Sequence, residues 1–338
     1  MGGAALLSSA LPLYKSPQEG SRGLLQLCFS MVAAMQSSSQ LSSAEPNVLI
    51  PTHTGALASD GALPEPFFDW VSMSGRMVSE PDKPSAELIS VIARFAQLLA
   101  YVRSQVLVDG QPKTADMIRK ALEIDEELDS WERRQKGAWT VVEERADGLF
   151  PGQAVFDGCY HVYADMYIAR VWNHYRWART MVNQIILESI DRFPVASAPL
   201  LMPKQQKQLS LDRIQRLARD TLVSTPSHYR HPSLQPAHCD YFDRTKGGAG
   251  IGIAGIPTLL FEVNVVGCAP GIPYRYRTWA LGMLETIWAD TGMFQAKALA
   301  NLLQKVVELD SPNLSPGSVG EEETGHEIKP AVAIKLET

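Results

Sequence analysis

The chain has 338 residues, 45% of them hydrophobic, and a formal charge of −6. That composition supplies one large core or two modest ones. Its acidic balance argues against a duplex-binding surface spread over the whole chain, which needs an excess of lysine and arginine to displace counterions. Cys28, Cys159, Cys239 and Cys268 stand far apart, which excludes short-spaced zinc motifs and gives no disulfide framework. The opening MGGAALLSSALPLYK lacks a basic leader, and its apolar run is short and broken by serine and proline. No apolar run reads as long enough to span a bilayer. The expectation is a soluble, intracellular protein with reduced thiols.

In chain order, residues 1–36 read as a helical segment, best over 23–36, where Leu24, Leu27, Met31 and Ala34 recur at spacings of three and four. Residues 37–84 read as a serine- and proline-rich loop, pinned to the core by Phe67, Phe68 and Trp70. Residues 85–308 read as an all-α domain. Its first helix carries Leu88, Phe95 and Val102 inward behind an N-cap at Ser85. The next opens at Thr114 or Asp116 and turns Met117, Ala121, Ile124, Leu128 and Trp131 inward. Its outer face is expected to show Glu123, Asp125, Glu126, Glu127, Asp129 and Glu132 to solvent. A connection over 137–156 has some extended character at WTVVEE.

The element that organises the rest is Asp157–Phe193, where Ala164, Ile168, Val171, Tyr175, Ala178, Val182 and Ile185 alternate in spacing between four and three. Asp157 is the expected N-cap and Pro194 the stop. Tyr160, Tyr163, Tyr167, Trp172, Tyr175 and Trp177 crowd more than one face, so the rod is expected to be wrapped on several sides. Beyond it come a helix over 209–224, a polar irregular stretch over 225–247, and a buried helix after Pro257. One long or two consecutive helices follow over 275–309, with Gly292 as the break. Residues 309–338 read as a disordered acidic tail. No strand is predicted. The fold class is all-α, an irregular helical bundle or array around a long central helix at about 157–193.

Several local patterns imitate active sites. Gly250, Gly252 and Gly255 spell GxGxxG, but no strand precedes them and Glu262 is too near to meet a ribose. Asp125, Glu126 and Asp129 resemble a magnesium-binding acidic motif. The facing Asn183, Leu187 and Asp191 lack the hydroxyl such a site expects, so a solvated helix face is expected instead. His228, His231, His238 and Cys239 gather without a ligand spacing that defines a zinc geometry. His238 and Asp240 imitate two members of an iron triad. These histidines are expected at the surface. With no GxSxG and no cysteine nucleophile signature, no residue is assigned a catalytic, cofactor-binding or metal role, and no cofactor is expected.

A series of ordered signals remains. Gly3-Ala4, Leu6-Leu7 and Gly23-Leu24-Leu25 are followed by Leu122, Asp125, Leu128 and Trp131. Then come Tyr160-His161-Val162-Tyr163, Asp165, Ile168 through Arg176, and Ala178-Arg179. Ser224, Pro226 and His228, then Gly292-Met293 with Gln295-Ala296, complete it. In these residues the chain resembles the middle, regulatory region of fungal-specific transcription factors of the zinc binuclear cluster class, over about residues 1–308. The resemblance implies transcription regulation in the nucleus, or in the cytoplasm without a nuclear partner. It implies no enzyme activity, and action through protein partners, a homodimer or a full-length relative. Complete members begin with a cysteine module that clasps zinc and places a helix in the major groove. Four dispersed cysteines cannot supply it, so the chain is expected to start inside the regulatory region and to bind no nucleic acid directly. The rival expectation is an enzyme or accessory protein of fungal secondary metabolism using His228, His231, His238 and Asp240. A third is a truncated product without activity.

Overall fold

The structure, a computed structural model, describes Arg22 and residues 65–106, 114–145, 148–192, 202–242 and 255–310. The expected helix over 23–36, the serine-rich part of the loop and the acidic tail lie outside the described residues. Within them the chain is all-α, as its periodicity predicts. The helices are α1 (Glu65–Met77), α2 (Lys83–Val106), α3 (Thr114–Arg134), α4 (Met166–Arg192), α5 (Pro203–Ser224), α6 (Pro236–Phe242), α7 (Ile256–Cys268), α8 (Tyr274–Thr291) and α9 (Phe294–Asp310). One antiparallel pair joins β1 (Val142–Arg145) to β2 (Cys159–Val162).

The central helix is shorter than its periodicity suggests. It starts at Met166, and its 27 residues span about 40 Å. Asp165, not Asp157, is the cap: its Oδ1 accepts the amide of Ile168 at 2.9 Å. Asp157 and Gly158 both have left-handed backbones, with φ of 53° and 65°, which turn the chain before a helix can start. Cys159–Val162 then pairs with β1 in the register Glu143 opposite His161. The extended reading of WTVVEE thus stands, while the absence of strands is corrected. Ala164 lies before the helix and is exposed. Ile168, Val171, Tyr175, Ala178, Val182 and Ile185 are buried as predicted.

Every residue from Val171 to Thr180 is buried, so α4 is wrapped on all sides. One apolar core lies between α1, α2, α3 and α4, a second is built by α5, α7, α8 and α9, and a small third gathers Ala154, Val155, Tyr160 and Phe242. The α3 stripe points inward as read, with Ala121, Leu128 and Trp131 fully buried. Residues 65–77, read as loop, are helical. Pro66 sits at the second position of α1, where its fixed φ favours helix and its missing amide costs nothing. Phe67 anchors α1 at 0% exposure.

The stretch Glu80–Val102, at mean hydropathy 1.4, is long and apolar enough to cross a membrane, which corrects the expectation that no run is. Here 67% of that window is buried within the fold. Gly292 ends α8 in the left-handed conformation, with φ of 69°, and α9 follows at once.

Candidate functional site

Polar side chains inside an apolar helix must find partners, because an unpaired buried polar group costs roughly 1–3 kcal/mol. On α4 the residues Asn173, Arg176, Arg179 and Asn183 repeat at helical spacing and are all buried. They form a polar seam against α3 and α5 that joins two clusters.

The first cluster surrounds Arg179, which is 1% exposed. Its guanidinium reaches Asp125 at 3.1 Å, Asp129 at 2.5 Å and Glu132 at 3.0 Å. Asp125 also accepts from Arg213 at 2.7 Å and from Asn183 at 2.7 Å. Burial pulls the Asp129 carboxyl upward, but the hydrogen bond and charge of Arg179 outweigh it and hold the group below its ordinary value. Burial likewise opposes ionisation of Glu132, and Arg216 overcomes it. The acids of α3 were expected on a solvated face. Asp125 is instead 3% exposed, because Asp125, Asp129 and Glu132 share one face turned toward cations some fifty residues away.

The second cluster begins with the strand pair. Register sets Glu143 opposite His161, and Arg219 grips both Glu143 oxygens at 2.8 Å. Arg219 first, then His161, holds the Glu143 carboxyl well below the usual carboxylate range. The Tyr163 hydroxyl accepts from Arg176 at 2.8 Å and faces His161 Nδ1 at 3.1 Å. Arg176 Nη2 also lies 3.2 Å from that nitrogen. A guanidinium only donates, so Nδ1 accepts and the ring proton sits on Nε2, toward Glu143 at 3.6 Å. Asn173 Oδ1 accepts from Arg176 at 2.7 Å and from Ser224 at 3.0 Å. Its amide nitrogen donates to His228 Nε2 at 3.0 Å. The His228 proton is thereby placed on Nδ1, which has no hydrogen-bond partner among the described residues. On the far side of α4, His174 and Glu262 of α7 meet at 3.3 Å, both buried.

Glu143, His161 and Asp220 each offer a ligand atom, all within 4.8 Å of one another. They are the described residues that could share a divalent cation. Two features oppose it. Arg219 already supplies the positive charge, lying on Glu143 and 3.7 Å from Asp220. The Nε2 proton of His161 faces the carboxylate, where a metal would need a lone pair.

The other sequence candidates are dispersed. Gly250 and Gly252 lie outside the described residues. Gly255 begins α7 against the backbone of His228: a Cβ there would stand 2.4 Å from the His228 carbonyl oxygen. Close backbone approach, not a phosphate, accounts for this glycine. Gly255→Ala is expected to cost about 2 kcal/mol in urea unfolding. Gly282→Ala, with nothing within 4 Å, should gain roughly 0.5 kcal/mol. Leu187 is buried, and Asp191 is exposed and paired with Lys207.

Two of the histidines expected at the surface are not there: His228 is 1% exposed and His231 6%, while His238 is half-buried. His228 is covered by the approach of Gly255, while His231 binds Ser233 and packs edge-on to Tyr229. His238 stands apart against the Phe150 ring, and Asp240 is exposed. Neither they nor Cys239 join the Glu143 group. Cys159, Cys239 and Cys268 are free thiols.

These burials make stability pH-dependent. Burial first, then the charges of Arg170, Arg176 and His174, lowers His228 from 6.5 to about 3. Burial also lowers His161 and His231. Between the unfolded and folded values the unfolded chain binds more protons. The stabilisation is therefore complete above pH 6.5 and is lost as pH falls toward 3. Thermal unfolding followed against pH should show Tm falling from about pH 6.5 downward. For His228 the slope is roughly 1 kcal/mol per pH unit, and His228→Gln should make it shallower.

Away from these groups in sequence, Glu285, Trp288, Lys297, Ala300, Asn301 and Gln304 line a hollow of about 250 Å³ between α8 and α9. Lys297 lies 5.1 Å over the Trp288 ring, and Phe294, 73% exposed, packs edge-on to it.

No family model, curated protein or solved structure matches the chain.

Proposed function

We propose that the chain is a regulatory domain of the fungal-specific transcription factor kind. These residues act in the nucleus through protein contacts, without enzymatic activity and without contacting DNA themselves. What supports this reading is that motifs scattered over the sequence meet on one seam. Asp125 of the α3 motif binds Arg179 of the α4 motif. Trp131 packs on Trp172 and Tyr175, with ring centres 5.0 and 5.1 Å away. Ser224 and His228 of the third motif both bind Asn173. The residues that carry the resemblance are those that lock α3, α4 and α5 together, as a domain built to hold its shape for a partner requires. The charged groups of the seam are engaged by one another, and Phe294, 73% exposed beside Trp288 at the α8–α9 hollow, leaves an aromatic side chain for protein contact.

The test is to fuse the full chain to a DNA-binding module of known operator and measure a reporter. The tethered chain should change output relative to the module alone, and Arg179→Ala, which breaks the seam, should remove the change. A folded fusion that leaves output at the level of the module alone would overturn the regulatory reading. Nanomolar binding of the isolated chain to random duplex at physiological salt would overturn the part about DNA.

A further inference from the structure

Arg22 is the sole described residue before Glu65, and its side chain reaches across to two distant carboxylates. Nε and Nη2 donate to Asp82 Oδ1 at 2.9 and 2.7 Å, and Nη1 donates to Asp165 Oδ2 at 3.1 Å. The guanidinium carbon lies 4.7 Å over the Tyr167 ring. The receiving groups are also held by bonds that do not involve Arg22. Asp82 is 0% exposed at the turn between α1 and α2, and its second oxygen accepts from Ser79 at 3.1 Å. Ser85 ties the Asp82 carbonyl at 2.6 Å and accepts the Tyr167 hydroxyl at 2.8 Å. Asp165 is fixed as the cap of α4.

We propose that Asp82, Asp165 and Tyr167 form a guanidinium-recognition socket, which Arg22 fills from within the chain and an arginine on a separate peptide fills when Arg22 is absent. A planar fork can lie on the ring while bridging two carboxylates. An ammonium is a point charge that cannot do all of this at once, so the socket selects arginine over lysine. The surroundings favour tight selection, since a buried carboxylate gains more from a matched cation than an exposed one does. The socket joins the turn before α2 to the start of α4, so its occupant clamps a distant segment onto the base of the central helix. This inference stands independently of the regulatory reading.

The test uses the full chain carrying Arg22→Ala, with the tripeptide acetyl-Gly-Arg-Gly-amide as probe and its lysine counterpart as control. The arginine peptide should raise Tm of the variant, leave wild type unchanged, and bind about tenfold more tightly than the lysine peptide. Adding Asp82→Asn should abolish the response. A folded variant that ignores the arginine peptide, or answers both peptides equally, would overturn the socket. If Arg22→Ala fails to fold, Arg22→Lys takes its place. A rise in Tm with the arginine peptide then supports the proposal, and no rise overturns it.

Discussion

Arg179→Ala is expected to destabilise the folded chain by about 3 kcal/mol, the low end of the range for removing one partner from a buried ion pair. At this chain length that corresponds to a Tm lower by roughly 4 °C, readable by circular dichroism. The loss comes less from the missing guanidinium than from what stays behind. Asp125, 3% exposed, keeps only Arg213 and Asn183 among its described partners. Glu132 keeps Arg216 and Tyr175. Those partners hold the cost to the low end. Arg179→Lys should recover less than half of the loss, because one ammonium cannot reach Asp125, Asp129 and Glu132 together. A drop of only a degree or two for Arg179→Ala would show that these charges are solvated and that α3 and α4 are held by apolar packing alone.

Trp131→Ala should cost more, about 4 kcal/mol. The ring is fully buried. It stacks on Tyr175, meets Trp172 and Trp139 edge-on, and donates Nε1–H to the Pro84 carbonyl at 2.7 Å. Its loss opens a cavity among α2, α3 and α4 and removes that hydrogen bond. Urea unfolding should show a lower midpoint, and the near-ultraviolet circular dichroism of the aromatic cluster should weaken. Trp131→Phe keeps most of the volume but not the hydrogen bond, and should cost about half as much. Phe294→Ala, at 73% exposure, should stay within about 0.5 kcal/mol of wild type. Equal losses at Trp131 and Phe294 would contradict the placement of the core.

Much of this architecture is legible in the sequence, for local reasons. The stripes of α2 and α3 recur at the helical period, and Gly292 breaks α8 from α9 because only glycine takes the left-handed cap without strain. The start of α4 is not legible in the same way. Val162, Tyr163 and Ala164 continue a helical rhythm, but pairing of Cys159–Val162 with a strand some seventeen residues earlier holds Val162 extended and delays the helix to Met166. Asp125 was misplaced for a similar reason. A helix facing water and one facing a buried arginine stripe look alike until the other helix is in place. Yet Asn173, Arg176, Arg179 and Asn183, polar residues at helical spacing within a run rich in apolar ones, mark a buried face that needs partners. His228 and His231 sit in a stretch whose polar composition reads as loop, yet Gly255 comes up against the His228 backbone. Nothing local announces that approach.

Hydrogen exchange of the intact chain tests most directly whether α4 is the element on which the others depend. Amides of residues 168–187 should exchange only through global unfolding and should be the slowest in the molecule. Exchange of that stretch by local opening, at rates like those of the exposed face of α9, would contradict the account.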